Sequence, residues 1–234
     1  MKHAYFVAGT DTEIGKTLTA SSLLYALTRT GVRTAGMKPV AAGAELRDGT
    51  WHNEDTDSLT AQASVALPTE LVTPYLFRQP TAPHIAARRE GRTIELPHIL
   101  ACYRRICELA DAVVVEGVGG FRVPLNQGVD TADLAQKLNL PVVLVVGLRL
   151  GCINHTLLTV EAIAARGLPL AGWVANTVDV GLLNSDATVD ALASRIEAPL
   201  LGKVPRFPPD PRHGTELVSA VARCLDFSLL PGWP

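Results

Sequence analysis

A glycine-rich segment near the amino terminus carries the residue types needed to bind phosphate. The segment Gly9–Thr17 (Gly-Thr-Asp-Thr-Glu-Ile-Gly-Lys-Thr) follows a short apolar run and precedes a helical pattern. Gly15 allows the backbone to approach a ligand closely, and free N–H groups at the start of the helix would face its phosphates. Lys16 would reach the β- and γ-phosphates of a nucleotide, and the hydroxyl of Thr17 would hold Mg²⁺.

The spacing of this loop departs from the usual phosphate-binding pattern. Five residues separate Gly9 from Gly15 where the pattern has four, so Thr10 stands in the place of the first glycine. An ordinary turn with a surface lysine would account for the glycines alone. The order of strand, Gly-Lys-Thr and helix favours a phosphate-binding loop, because that order is what the binding mechanism requires.

A second contact to Mg²⁺ is expected from a carboxylate at the tip of a neighbouring strand. Glu116 directly follows the apolar run 112–115 and precedes the glycine-rich turn 117–120. Ligands of open α/β sheets bind beyond such strand ends, and glycines let them approach the backbone. The alternative is a solvated carboxylate in a flexible turn.

Two further charged residues are candidates on weaker grounds. Asp57 lies in the acidic run 54–57 and would serve equally well as a ligand or as the N-cap of a helix. Lys38 ends the second predicted strand, where its ammonium would stabilise charge on a transferred phosphoryl group or on its acceptor. Lysines also flank strands without a chemical role, and spacing alone does not decide between these interpretations.

The elements that position these residues alternate between strands and helices. Apolar runs predict strands buried on both faces at 4–8, 34–38, 112–115, 142–146 and 171–175. Helical patterns are predicted at 16–30, 57–65, 97–110, 131–138, 154–166, 186–196 and 215–225, with Gly31 and Gly167 ending two of them. The segment 67–97, which is rich in Pro and Arg, is predicted to leave this alternating pattern and to cover or extend the site. We predict an α/β fold in one domain, residues 1–234, with a mostly parallel β-sheet and helices on both faces.

Composition and charge exclude several classes of protein. Hydrophobic residues make up 47% of the chain and charged residues 19%, which is typical of a globular protein. The 21 basic and 23 acidic residues give a net charge of −2, which does not support sequence-independent nucleic-acid binding. The apolar runs are too short to span a membrane, and the apolar amino-terminal stretch is too short for a signal peptide. The four cysteines are scattered and include no Cys-x-x-Cys pair. Together with the features above, they predict a cytoplasmic protein with no membrane partner.

Several long segments resemble the dethiobiotin synthetase family, and the resemblance covers nearly the whole chain. They are 5–17, Thr34–Val40 (Thr-Ala-Gly-Met-Lys-Pro-Val), 115–120, Leu150–His155 (Leu-Gly-Cys-Ile-Asn-His) and Leu170–Asn176 (Leu-Ala-Gly-Trp-Val-Ala-Asn). The phosphate loop of that family has the longer form found here. The resemblance implies a single-domain fold of the P-loop NTPase type.

The resemblance also implies a reaction, the ATP-dependent ring closure in biotin synthesis, with Mg²⁺ as cofactor and ATP as co-substrate. One amine of 7,8-diaminononanoate captures CO₂ as a carbamate, which attacks the γ-phosphate to give a carbamic–phosphoric anhydride. The second amine then closes the ureido ring of dethiobiotin. Such chemistry needs anions that are held in position and neutralised, as phosphoryl transfer generally does.

The site residues of the family carry over by position. The resemblance implies Mg²⁺ contacts at Thr17, Asp57 and Glu116, and catalytic roles for Lys16, Lys38 and Thr12, of which Thr12 and Lys38 also contact the substrate. The implied ATP-binding residues are Glu13, Ile14, Gly15, Lys16, Thr17, Asp57, Glu116, Gly117, Val118, Gly119, Asn176, Thr177, Pro205, Arg206 and Phe207. Among these, Asn176 would read the adenine edge with its amide.

A second anion site is expected where the helix after residue 150 begins. Free N–H groups at a helix start can bind a carboxylate. In the family this helix start binds the carboxylate tail of the substrate from the partner subunit. The resemblance therefore implies substrate contacts at Gly151, Cys152, Ile153 and Asn154, and a homodimer whose sites are completed by the partner.

One position departs from the family pattern. Ala42 stands where the family commonly has a Ser or Thr hydroxyl, four residues after Lys38. We expect the Ala42→Ser change to leave the reaction intact and to lower the KM for the diamine, because one hydrogen bond to a charged group is regained.

Two other functions are compatible with a phosphate loop in this fold class. An ATP-driven switch of the Min/Par kind carries a signature lysine five residues before the loop lysine, but Asp11 occupies that place. A related ligase, such as the cobyrinate amide synthases, commonly carries an additional glutaminase domain. A paralogue with an altered substrate remains an alternative to the diamine-specific enzyme.

Overall fold

A parallel sheet forms the centre of the molecule in the computed structural model, which describes residues 3–208 and 214–234. The strands of the described residues are β1 (His3–Gly9), β2 (Thr34–Met37), β3 (Val40–Ala42), β4 (Glu45–Arg47), β5 (Thr50–His52), β6 (Tyr75–Phe77), β7 (Ala112–Glu116), β8 (Val142–Leu148), β9 (Leu170–Thr177) and β10 (Leu200–Val204). Six of them form one sheet in the order β10-β9-β8-β1-β7-β2, with every neighbouring pair parallel. A two-stranded parallel sheet joins β3 to β6, and β4 and β5 form an antiparallel hairpin.

Helices cover both faces of this sheet. They are α1 (Lys16–Arg29), α2 (Glu54–Gln62), α3 (Thr69–Val72), α4 (Pro83–Arg89), α5 (Leu96–Leu109), α6 (Thr131–Leu138), α7 (Cys152–Ala165), α8 (Ser185–Ala193) and α9 (Thr215–Ala222), with a 3₁₀ turn at Phe227–Leu229. One core contains buried residues of α1, α2 and α9, and the other contains buried residues of α4 to α8. The predicted α/β fold, with a mostly parallel sheet and helices on both faces, is confirmed.

The apolar runs of the sequence are the strands that both helix layers cover. In β7, Val113 and Val115 belong to one core and Val114 to the other, and all three are fully buried. Side chains of a strand alternate between faces, so a strand covered on both sides is apolar at every position. This is why 112–115 and 142–146 show no polar alternation.

The elements differ from the predicted ones in places that follow from local chemistry. α2 begins at Glu54 rather than at 57, because the Asn53 side chain accepts hydrogen bonds from the N–H groups of Asp55 and Thr56 and caps the helix. The sequence pattern does not predict β10, which is short and interrupted by a glycine and a lysine. Gly31 and Gly167 do follow the ends of α1 and α7, with φ of 88° and 67°, as predicted.

The carboxyl ends of β1, β7 and β8 meet at the point where the chain order of the sheet reverses direction. Loops diverge there, which leaves a crevice where open α/β sheets bind ligands. None of the described helices is long and apolar enough to cross a membrane. The predicted domain bounds, 1–234, stay a prediction, since Met1, Lys2 and residues 209–213 lie outside the described residues.

Candidate active site

The phosphate loop connects β1 to α1 by a tight path that two glycines permit. Gly15 has φ of 87°, and a Cβ placed on it would lie 2.3 Å from Asn176 Nδ2. A Cβ on Gly9 would lie 2.7 Å from Cδ of Lys16, because the aliphatic stem of that lysine passes over the strand end. Glu13 also has a positive φ, 57°, which is uncommon for a residue with a side chain.

Lys16 is folded back onto the loop. Its side chain is buried, and Nζ donates a hydrogen bond to the carbonyl oxygen of Asp11 at 2.6 Å. Burial and the nearby charge of Lys38 lower the pKa of Lys16 to about 8. The ammonium therefore has a neutral backbone partner and lies in a loop whose N–H groups can bind an anion.

Two carboxylates converge on the hydroxyl of Thr17. Its Oγ1 lies 2.6 Å from Oδ1 of Asp55 and 2.8 Å from Oε1 of Glu116. Glu116 is buried at the end of β7, and its Oε2 has no hydrogen-bond partner among the described residues. The α1 start, the α2 start and the β7 end thus bring three oxygen-bearing side chains together.

Lys38 lies against the same carboxylates. Its Nζ is 2.7 Å from Oδ2 of Asp55, 2.6 Å from Oε1 of Glu116 and 3.2 Å from the carbonyl oxygen of Gly117. Burial alone would lower the pKa of Lys38, but the charges of Glu116 and Asp55 hold it above its usual value. The same ammonium holds the pKa of Asp55 below its usual range, despite burial.

The prediction of Asp57 as a member of this cluster is contradicted by the structure. Asp57 contacts His52 at 3.2 Å and Arg47 at 3.6 Å, outside the cluster, and Asp55 occupies the expected place. Side chains two residues apart on a helix point in directions about 200° apart. Only one of the two carboxylates can therefore face α1. The missed signal is Asn53, a preferred N-cap, which sets the helix start and hence the direction of each carboxylate.

The donor set around Thr17 suits Mg²⁺. Thr17, Asp55 and Glu116 offer a hydroxyl and carboxylate oxygens, which are the hard ligands that Mg²⁺ prefers. The orphaned Oε2 of Glu116 is a buried acceptor that a cation would satisfy. The residues present therefore fit the metal.

The outer part of the loop is tied to the end of β8 by a pair that the sequence does not reveal. Asp11 Oδ1 accepts the N–H of Thr12 at 2.7 Å, and Oδ2 contacts the guanidinium of Arg149. Thr12 and Glu13 are exposed at the loop tip. A Cβ on Gly119 would lie 3.6 Å from the Thr12 hydroxyl, so the turn after β7 lies close to that hydroxyl.

The predicted base-binding residues lie on the other side of the loop. Asn176 is buried near the end of β9 and donates from Nδ2 to the carbonyl oxygen of Ile14 at 2.8 Å. It pairs in register with Val204 of β10, so Pro205, Arg206 and Phe207 continue from beside it. Thr177 follows directly, at the end of β9.

The start of α7 is exposed and has no side-chain cap. Gly151 has φ of 90°, and Cys152 is buried while Ile153 and Asn154 are exposed. The N–H groups of Cys152 and His155 reach the carbonyl oxygens of Arg149 and Gly151. Those of Ile153 and Asn154 have no protein acceptor within 3–208 and 214–234, as expected for a helix start that can bind an anion.

A cavity of about 330 Å³ separates the phosphate loop from α7. Its walls are Thr10 and Asp11 of the loop, Gly120 to Arg122 after β7, and the face of α7 that carries His155, Leu158, Thr159 and Ala162. Apart from the base-binding residues around Asn176, the predicted site residues thus form two groups, the loop with its lysines, hydroxyl and carboxylates, and the α7 start. Within the described residues, Asp11 and Arg149 join these groups.

Comparisons with known proteins identify relatives of the chain. A protein-family profile described as an AAA domain matches residues 3–209. The ATP-dependent dethiobiotin synthetase BioD of Janthinobacterium sp. (strain Marseille) is 56% identical over 233 residues, covering 98% of this chain and 96% of that protein.

Solved structures with the same architecture share little sequence with the chain. A ParA family ATPase from Chlorobium tepidum TLS has a TM-score of 0.55 at 14% identity, covering 95% of this chain and 91% of that one. The cell division protein MinD from Aquifex aeolicus has a TM-score of 0.55 at 12% identity, covering 93% and 86%. At these identities the likeness concerns the fold alone. The Janthinobacterium protein, in contrast, shares 56% identity over nearly the full length of both chains. The chain therefore belongs to the dethiobiotin synthetase family.

Proposed function

We propose that the protein closes the ureido ring of dethiobiotin from 7,8-diaminononanoate and CO₂ at the expense of ATP. The Janthinobacterium protein, whose name states that activity, is 56% identical over 233 residues. The candidate site holds two lysines, two carboxylates and a threonine hydroxyl within hydrogen-bond distance of one another or of the loop backbone. These groups can position and neutralise anions, and phosphoryl transfer depends mainly on that.

The proposed reaction has three bond-forming steps. A nitrogen of the diamine bonds to the carbon of CO₂ and loses a proton, which gives a carbamate. A carbamate oxygen attacks the γ-phosphorus and displaces ADP. The second nitrogen attacks the carbamate carbon, loses its proton and expels phosphate, so the ring closes.

The lysines and the loop serve the phosphates in this scheme. Lys16 moves from the carbonyl oxygen of Asp11 to the β- and γ-phosphates, which are stronger acceptors. Lys38 binds the carbamate and the γ-phosphate, and the Thr12 hydroxyl, near the Gly119 backbone, donates to the carbamate. Thr17, Asp55 and Glu116 would hold Mg²⁺, which supplies charge neutralisation at the phosphates. Asp55 takes the role that the sequence assigns to Asp57.

Base recognition is assigned to the far side of the loop. Asn176 keeps Oδ1 and one N–H of its amide free when Nδ2 donates to Ile14, and together they can pair with the edge of adenine. Thr177 and the segment Pro205–Phe207 complete the pocket. Phe207 is half-buried, so its ring offers a flat apolar wall beside the base.

A homodimer completes the site in this proposal. Leu150, 91% exposed, and Leu158, 57% exposed, lie on the α7 side, which leaves an unusual apolar surface for a second copy. The uncapped start of α7 would then bind the carboxylate tail of the diamine held by the partner. We also place the protein in the cytoplasm, without nucleic-acid or membrane partners, in keeping with its net charge of −2 and its free cysteines.

The convergence of Lys16, Lys38, Thr17, Asp55 and Glu116 is the observation that carries the proposal. The test is phosphate release from Mg-ATP and bicarbonate, with and without 7,8-diaminononanoate, together with mass-spectrometric detection of dethiobiotin. Diamine-dependent release matched by dethiobiotin, and lost in Lys16→Ala, is the expected result. ATP binding without stimulation by the diamine would instead favour a ligase of altered substrate.

A further inference from the structure

Lys38 bridges the two carboxylates that would hold the cation. Its ammonium contacts one oxygen of Asp55 at 2.7 Å and one oxygen of Glu116 at 2.6 Å. The Glu116 oxygen is also the one that lies 2.8 Å from the Thr17 hydroxyl. The lysine and a metal held by these three residues would therefore compete for the negative charge of the same two carboxylates.

The charges of the pocket balance without any ligand. When all four groups are ionised, Asp55 and Glu116 contribute two negative charges, and Lys16 and Lys38 contribute two positive ones; burial raises the pKa of Glu116, so its ionised form depends on the two lysines. A divalent cation entering alone would leave the site with two uncompensated positive charges. Solvent would screen them weakly, because Lys16, Lys38 and Glu116 are buried and only Asp55 is partly exposed. A nucleotide brings several negative charges with the cation and offers both lysines new partners.

We propose that Lys38 acts as an internal counter-ion that blocks the metal ligands until a nucleotide arrives, so that the protein binds the divalent cation only together with phosphate. This inference rests on the proposed Mg-ATP site. In this role the lysine leaves the carboxylates when the nucleotide binds, and the freed ammonium is then available for the acceptor of the phosphoryl group. Binding of the metal and release of the lysine are one exchange of cations on the same two carboxylates.

The test is a titration with Mn²⁺, followed by electron paramagnetic resonance, with no nucleotide present. Wild-type protein should bind Mn²⁺ weakly, and Lys38→Met should bind it about tenfold or more tightly, because two carboxylates lose their competing cation. Lys16→Met is the matched control: it removes one charge from the same pocket, but its Nζ contacts a carbonyl oxygen rather than a carboxylate. Its gain in Mn²⁺ affinity should be clearly smaller. An unchanged affinity in Lys38→Met, or equal gains in the two variants, would overturn the inference.

A second measurement uses the wild-type protein, in case Lys38→Met does not fold. The side-chain ¹⁵N signal of Lys38 is followed by NMR on adding Mg²⁺ alone and then a non-hydrolysable ATP analogue. The inference predicts no change with Mg²⁺ alone and a clear shift with both. A full shift with Mg²⁺ alone, or none with both, contradicts it. Failure of the wild-type protein to bind the nucleotide with Mn²⁺ would count against the proposed function itself.

Discussion

The phosphate region and the start of α7 are both candidate anion sites, but they differ in burial and in whether their polar groups have partners. In the first, Lys38 is 2% exposed and every charge has a partner within the chain. In the second, the N–H groups of Ile153 and Asn154 lack protein acceptors, and the neighbouring Leu150 is 91% exposed. The charged groups of the first region are therefore paired with one another, whereas the second is the surface that, under the proposed function, a ligand and a second copy of the chain would complete.

The largest effect is expected from a substitution in the phosphate region. Asp55→Asn should lower kcat/KM about 100-fold or more, because a ligand of the cation that would neutralise the reacting phosphates is lost. Asp57→Asn is the matched control, the same change two residues away on the same helix. It should alter kcat/KM less than about threefold, since the partners of that carboxylate among the described residues, Arg47 and His52, are exposed. Steady-state kinetics on both variants compare them directly. Equal losses would show that the helix does not orient the two carboxylates as described.

A pH dependence should follow from the burial of Lys16. Its pKa is lowered to about 8 by burial and by Lys38, so below pH 8 its ammonium is already present in the free protein. Above pH 8, nucleotide binding must draw a proton onto Lys16, and the affinity should fall by up to about tenfold per pH unit. Calorimetric titration with a non-hydrolysable ATP analogue between pH 7 and pH 9.5 measures this. Lys16→Met should show weak, flat binding over the same range; a flat wild-type profile contradicts the assignment.

The Asp11–Arg149 pair that joins the two regions should have a moderate effect. Both side chains are about 40% exposed, 39% for Asp11 and 41% for Arg149, so screening by solvent limits their interaction. Arg149→Met should raise the KM for ATP about threefold to fivefold, and Arg149→Lys should restore most of it. Arg105→Met, which removes an exposed partner of Glu108 on α5, is the control and should change nothing. A rise that Arg149→Lys does not rescue would indicate a packing role instead.

The smallest effect concerns Ala42, at the end of β3. Ala42→Ser should lower the KM for the diamine about twofold and leave kcat unchanged, because a water molecule can supply the missing hydrogen bond at little cost. Ala42→Cys has nearly the same volume but a weak donor, and should leave the KM unchanged. A KM that stays equal or rises in Ala42→Ser removes the argument that the missing hydroxyl matters.

Local chemistry explains which parts of the site the sequence predicts. Gly15, Lys16 and Thr17 follow a strand and open a helix, and Glu116 directly follows a run of valines, so a pattern of a few residues places them. Asp55 and Asp57 share one acidic run, and their directions differ only through the point where α2 begins. The residue types alone do not show which of the two carboxylates faces the cluster, unless Asn53 is recognised as the N-cap that sets the start of α2.

Long-range contacts are the part that the sequence does not reveal. Asp11 and Arg149 are 138 positions apart, and only the parallel pairing of β1 with β8 brings them together. β10 escapes prediction for a similar reason: its residues fit a strand only because β9 lies beside it. The fold class depends on repeated local patterns and is predicted well, whereas contacts between loops depend on the assembled sheet.

The central claim is that one region acts within its own subunit and the other serves the partner, and mixing subunits tests it most directly. Asp55→Asn breaks the first region, and Ile153→Pro removes one free N–H at the start of α7, where proline is tolerated as Pro97 is at the same position of α5. Ile153→Ala keeps the N–H and serves as the control for the side chain.

The measurement is diamine-dependent phosphate release at low diamine concentration by an equal, re-associated mixture of Asp55→Asn and Ile153→Pro subunits, each of which alone should be nearly inactive. Half of the random dimers are mixed and each mixed dimer has one intact shared site, so the mixture should recover about a quarter of wild-type activity. A mixture no more active than the mean of its two components would contradict a site shared between subunits.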